Sequence, residues 1–140
     1  MKIAVYQGRS PAGDVAQAFE IVETMVSTVS CAGVRMIVFP ELFLPGYNQP
    51  ELHKTMAQSV PAPWDEQLSN IAKKHSCGLT IGWAERDGES IFNSVSCFDE
   101  RGEKVVHYRK IQLFGPVEKS TFEFGNTYQT FLALRRFKWI

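Results

Sequence analysis

The sequence predicts a layered α/β fold with a mixed sheet, and three observations predict it. The elements read in the order strand, helix, strand, loop, helix, and then a meander of strands, which is the order of a layered α/β domain. The stretch "VRMIVFP" (34–40) is a near-continuous apolar run closed by a proline, as a strand covered on both faces reads. The stretch 13–33 repeats its apolar residues at helical spacing and gives a single stripe.

Taken in order, "KIAVYQG" (2–8) reads as a short buried strand ended by Gly8. In "GDVAQAFEIVETMVSTVSCAG" (13–33), Val15, Ala18, Phe19, Val22, Met25, Val26 and Val29 share one helical face. Asp14 followed by Gln17 resembles a capping box, and Gly33 suits the position just past the helix end. Five prolines and glycines make 44–63 mostly loop, with a short helix near 51–58. Residues 64–77 are helical again: Trp64, Leu68, Ile71 and Ala72 share a face, and Gly78 is expected to stop the helix. "LTIGWAE" (79–85), "IFNSVSCFDE" (91–100) and "EKVVHYRKI" (103–111) read as strands joined by the turns "RDGES" and "DERG".

The chain has 140 residues, the length of one domain, and 44% of them are hydrophobic, which argues against disorder. The net charge is zero, so no basic stripe points to nucleic acid and no polybasic run to an anionic membrane. No apolar run reaches the roughly 18–20 residues that span a bilayer, and the N-terminus lacks the apolar core of a signal peptide. The three cysteines, Cys31, Cys77 and Cys97, have no metal-site spacing and are too sparse for a disulfide framework, which fits a reducing cytoplasm. Each reads as a small buried apolar residue.

Two charged residues stand in apolar surroundings. Glu41 follows the buried-type strand directly, at the carboxyl end where clefts form in open α/β sheets. A carboxylate between Pro40 and Leu42 is partly desolvated, which suits a general base, although a loop glutamate that caps backbone amides reads the same way. Lys110 lies in "HYRKIQLFGP" (107–116), beside Tyr108, Ile111, Leu113 and Phe114. It reads either as a strand-edge lysine that snorkels to water or as a fixed positive charge aimed at an oxyanion. Glu118 lies eight residues on, in what reads as a loop beside Lys119.

Together, "VFPELFLPGYN" (38–48) and "HYRKIQLFGPVEKSTFEFG" (107–125) resemble the N-terminal part of the nitrilase-type carbon–nitrogen hydrolases. "KIAVYQG" and "GLTIGWAERDGESIFNSVSCFDERG" (78–102) are similar to the same family, so the resemblance covers about residues 2–131. It implies an α-β-β-α sandwich, present here as its N-terminal portion, and a homo-oligomer in an intact member. It implies hydrolysis of a small amide or nitrile through a glutamate, a lysine and a cysteine, with no metal or organic cofactor. Glu41 then matches the general base, Lys110 the lysine and Glu118 the second glutamate, while Tyr47 and Asn48 border the pocket.

The family's cysteine follows a further apolar strand, roughly thirty residues past the lysine, and here no cysteine occurs after Cys97. The chain departs again in "FEFG" (122–125), where Phe124 replaces the family's usual proline. The expectation is one domain over 1–140, incomplete at its C-terminal side, with an atypical basic-aromatic end at 132–140. Two functional readings follow: an amidase-like hydrolase represented by its N-terminal part, and a non-catalytic fragment or interaction module that keeps part of the fold.

Overall fold

A computed structural model describes residues 1–61 and 63–129. The strand β1 (Ile3–Val5) leads to the helix α1 (Val15–Cys31), the strand β2 (Met36–Val38), the short helix α2 (Pro50–Met56) and the two-residue strand β3 (Gln58–Ser59). The helix α3 (Pro63–His75) follows, then β4 (Gly78–Asp87), β5 (Ser90–Phe98), β6 (Lys104–Arg109) and the helix α4 (Gly115–Thr121). The strand order is β1-β2-β4-β5-β6, with β3 also pairing β4. β1, β2 and β3 run parallel to their neighbours, whereas β4, β5 and β6 form an antiparallel meander. The sheet is therefore mixed, as its element order predicts.

Side chains alternate between the two faces of the sheet. One face carries Ile37, Leu79, Ile81, Trp83 and Phe98, and packs against Phe19, Val22 and Val26 of α1 and Leu68 and Ile71 of α3. Each such buried side chain stabilises the fold by roughly 1.5–3 kcal/mol relative to its exposed state. The opposite face carries Val38, Thr80, Gly82, Val95 and Tyr108 and borders an open cleft. No helix among the described residues is long and apolar enough to cross a membrane.

Local signals place the helix ends. Asp14 caps α1 by accepting from the Gln17 backbone N–H at 2.9 Å. The backbone N–H of Asp14 donates to Pro11 O instead of to Gln17, so one half of the capping box forms. The stop of α3 departs from expectation. Ser76, in the left-handed region at φ 50°, ends the helix, and Gly78 is the first residue of β4.

Four further expectations are corrected. β1 is not a buried strand: Ile3 is 55% and Val5 69% exposed, because both point from the edge strand to the face that no helix covers. Cys31 is exposed at the end of α1, off its buried stripe, whereas Cys77 and Cys97 are buried. β6 ends at Arg109, so Lys110 lies just past the strand rather than inside it. Glu118 stands on the helix α4, not in a loop. The atypical end at 132–140 lies outside the described residues.

Candidate active site

The backbone that carries Glu41 lies along the edge of β4. Phe39 N–H donates to Thr80 O at 2.8 Å, Gly82 N–H to Pro40 O at 3.3 Å, and Leu44 N–H to Gly82 O at 3.1 Å. Gly82 permits this approach, since a Cβ there would lie 2.5 Å from Leu42 N and 2.7 Å from Glu41 Cα. Leu42, next to the glutamate, holds φ 49°, a left-handed conformation that costs a bulky residue roughly 1–2 kcal/mol. The side chain of Leu42 is buried, so packing holds the turn in place and turns Glu41 outward over the cleft.

Lys110 is held as firmly. Its N–H donates to Asn93 O at 2.8 Å, and its carbonyl accepts from Gly125 N–H at 2.9 Å. The chain after α4 comes so close that a Cβ on Gly125 would lie 2.2 Å from Arg109 O. With both of its backbone groups paired, Lys110 sends its ammonium between two carboxylates. Lys110 Nζ lies 2.5 Å from Glu41 Oε1 and 3.0 Å from Glu118 Oε1. The other oxygen of Glu118 accepts from Phe114 N–H at 2.7 Å, which fixes the carboxylate across the start of α4.

Asn93 is the member that sequence reasoning missed. It is buried in β5 and donates from Nδ2 to Glu41 Oε1 at 2.8 Å, while its backbone carbonyl takes the N–H of Lys110. A buried amide in a strand needs a partner, and that requirement is the signal in "IFNSV". Glu41 Oε1 thus receives both the ammonium and the amide, and no described residue hydrogen-bonds to Glu41 Oε2.

Tyr47 and Asn48 are exposed on the loop before α2 and line a cavity of about 280 Å³ that Glu118 also borders. Neither hydrogen-bonds to Glu41 or Lys110. None of the three thiols reaches the site through a hydrogen bond either: Cys77 donates to Gly78 O, and Cys97 faces Thr80.

Burial alone would lower the pKa of Lys110, but the hydrogen bonds from its ammonium to Glu41 and Glu118 outweigh burial and raise it above its ordinary 10.5. The site therefore holds a permanent ammonium at neutral pH. A raised lysine stabilises the fold fully below its unfolded pKa and loses that contribution as pH rises through the folded one. Titration of the Lys110 ammonium by NMR is expected to place its midpoint above 10.5, and Glu41→Gln to lower it. A midpoint unmoved by Glu41→Gln would show that the carboxylate does not hold the charge.

The carbon-nitrogen hydrolase family model matches residues 2–138. A hydrolase in the pqqF 5′ region of Pseudomonas protegens is 31% identical over 89% of this chain and 44% of its own length. A bromoxynil-specific nitrilase of Klebsiella pneumoniae subsp. ozaenae is 27% identical over 90% of this chain and 42% of its own. An amidase from Nesterenkonia sp. superposes with a TM-score of 0.78 at 25% identity, covering 91% of this chain and 49% of that one. Another structure of that amidase carries acrylamide added at its active-site cysteine, and superposes with a TM-score of 0.82. The chain spans about half the length of these relatives. With a family model matched along almost its whole length, and with the sheet and helices of a nitrilase-superfamily amidase, the chain belongs to the carbon–nitrogen hydrolase family.

Proposed function

We propose that this chain supplies the glutamate–lysine–glutamate half of a hydrolase that cleaves carbon–nitrogen bonds of small amides or nitriles through a thiol nucleophile. The observation that carries the reading is the ammonium of Lys110 held between Glu41 and Glu118, with Glu41 Oε2 left without a described partner. Glu41 acts as the general base and takes the thiol proton at Oε2, the oxygen that neither Lys110 nor Asn93 engages. The thiolate attacks the amide or nitrile carbon, and the electron pair moves onto the substrate's oxygen or nitrogen. Lys110 stabilises that developing negative charge from a position fixed before reaction begins. For an amide, the proton held by Glu41 passes to the leaving nitrogen, and water then cleaves the thioester. Glu118 is a positioning residue that holds Lys110.

The nucleophile belongs, in this proposal, to protein outside these 140 residues, as the named active-site cysteine of the Nesterenkonia amidase and the half-length coverage suggest. Three free thiols support placing the reaction in the cytoplasm. The alternative, a non-catalytic interaction module, is favoured by one observation: no thiol of the chain hydrogen-bonds to Glu41.

The test is addition of butyramide to the chain while the Lys110 ammonium is followed by NMR. A saturable shift of Lys110, lost in Glu41→Gln, is the expected result. An amide that leaves Lys110 unmoved at saturating concentration would overturn the proposal.

A further inference from the structure

We infer that the cavity between α2 and α4 receives the non-reacting substituent of the substrate, and that it selects small uncharged substituents over anionic or cationic ones. This inference rests on the proposed hydrolase reading and deepens it.

The cavity adjoins the candidate site through two residues. Leu42 follows Glu41 in the chain, and Glu118 lines the cavity while its carboxylate holds Lys110. At about 280 Å³ it lies just below the range of clefts that take drug-sized ligands.

Its walls decide the charge. Leu42, Phe114, Val117 and Phe122 are apolar, and among the described residues no lysine or arginine lines the cavity. Its ionisable members are Tyr47, His53 and Glu118. His53 is buried, and its Nε2–H donates to Gly46 O at 2.7 Å. Burial pushes the imidazole pKa down, against the smaller opposing effects of Gly46 O and Glu118, so the ring is neutral at pH 7. Glu118 has both oxygens engaged, one by Lys110 and one by Phe114 N–H.

A carboxylate entering the cavity would find no cation among the described wall residues and a nearby trio, Glu41, Lys110 and Glu118, with one more negative charge than positive. The neutral donors of Tyr47, Asn48 and Thr121 would replace part of its hydration but would not balance its charge. An ammonium would meet a carboxylate already satisfied by two donors. A short alkyl substituent loses nothing and gains apolar contact.

The experiment is an NMR titration of the 140-residue chain with butyramide, succinamate and glycinamide. The reporters are the methyl groups of Leu42, Val117 and Thr121 for the cavity and the ammonium of Lys110 for the reaction centre. Butyramide is expected to shift both sets with one dissociation constant, and the two charged amides to bind at least tenfold more weakly. Val117 is half-exposed on α4, and Val117→Arg places a cation in the wall without touching the core. That variant is expected to raise succinamate affinity at least fivefold. If butyramide moves Lys110 but not the cavity methyls, the substituent lies elsewhere: this inference fails and the hydrolase reading stands. The inference also fails if succinamate or glycinamide binds within twofold of butyramide, or if Val117→Arg leaves succinamate unchanged. If no amide moves Lys110, both fail together.

Discussion

Arg109→Met will destabilise the protein by about 3–5 kcal/mol, the range expected when one partner of a buried ion pair is removed. Glu85 is fully buried in β4, on the helix-covered face of the sheet. Its Oε1 takes Arg109 Nη2 at 2.5 Å and Arg109 Nε at 3.0 Å. Its Oε2 takes Ser94 Oγ at 2.5 Å and lies 2.9 Å from His107 Nε2. Arg109 also reaches Asp87 at 2.9 Å, and its guanidinium sits 4.0 Å from the centre of the Phe92 ring. A methionine keeps much of the contact with Phe92 but leaves Oε1 of a buried carboxylate without a partner, with only His107 and Ser94 remaining on Oε2. Against a total stability of about 5–15 kcal/mol, that loss is a large fraction. Urea denaturation at pH 7 measures it. A loss below about 1 kcal/mol would mean that the pair is worth no more than a surface ion pair.

The same cluster sets an acid dependence. Burial alone would raise the pKa of Glu85, but hydrogen bonds from His107, Arg109 and Ser94 outweigh it and lower the pKa from 4.5 to about 2. A depressed carboxyl contributes stability that is complete above its unfolded pKa and lost as pH falls through the folded one. The window therefore runs from about pH 4.5 down to about 2, and the contribution is on the order of 3 kcal/mol. Glu85→Gln is expected to flatten the stability profile across that window. A wild-type profile that is already flat there would refute the assignment.

The 140-residue chain will release no ammonia from small amides or nitriles above the uncatalysed background. In the proposed mechanism Glu41 and Lys110 bind and polarise a carbonyl, but a covalent route needs a thiol beside Glu41. Cys77 and Cys97 are buried with raised pKa values, in both cases chiefly from burial, which leaves them as poorly nucleophilic thiols. Cys31 is exposed at the end of α1, away from the cleft-lining elements. Removing the nucleophile of a covalent mechanism lowers the rate by a factor on the order of 10⁶, and what remains comes from binding and electrostatics. The check is an ammonia assay over a panel of amides and nitriles, with the chain and its Cys97→Ala variant side by side. Turnover that Cys97→Ala abolishes would place the nucleophile inside these residues and remove the need for an outside thiol.

The sequence by itself determined the local elements. The spacing of Ala18, Phe19, Val22 and Val26 specifies the stripe of α1, because a helix returns to the same face every three to four residues. Asp14 marks where that helix begins, and the apolar run through Met36 and Ile37 marks a strand, although helices cover only the Ile37 face and Val38 borders the cleft. Motif position also singled out Glu41, Lys110 and Glu118, the three residues whose charges meet. Tertiary structure alone decided the rest. The helix α4 is seven residues long with no buried side chain, so its sequence carries no stripe, and Gly115 and Pro116 read as a turn. Asn93 has meaning only because the backbone of Glu41 runs past Gly82 into its reach, 52 positions away in the chain. Glu85 reads as an ordinary strand glutamate until Arg109, 24 residues on, comes beside it across β5. Periodicity records which face a residue shows to its own element. Which charge it meets across the sheet depends on strand register, and register is set by the packing of the whole layer.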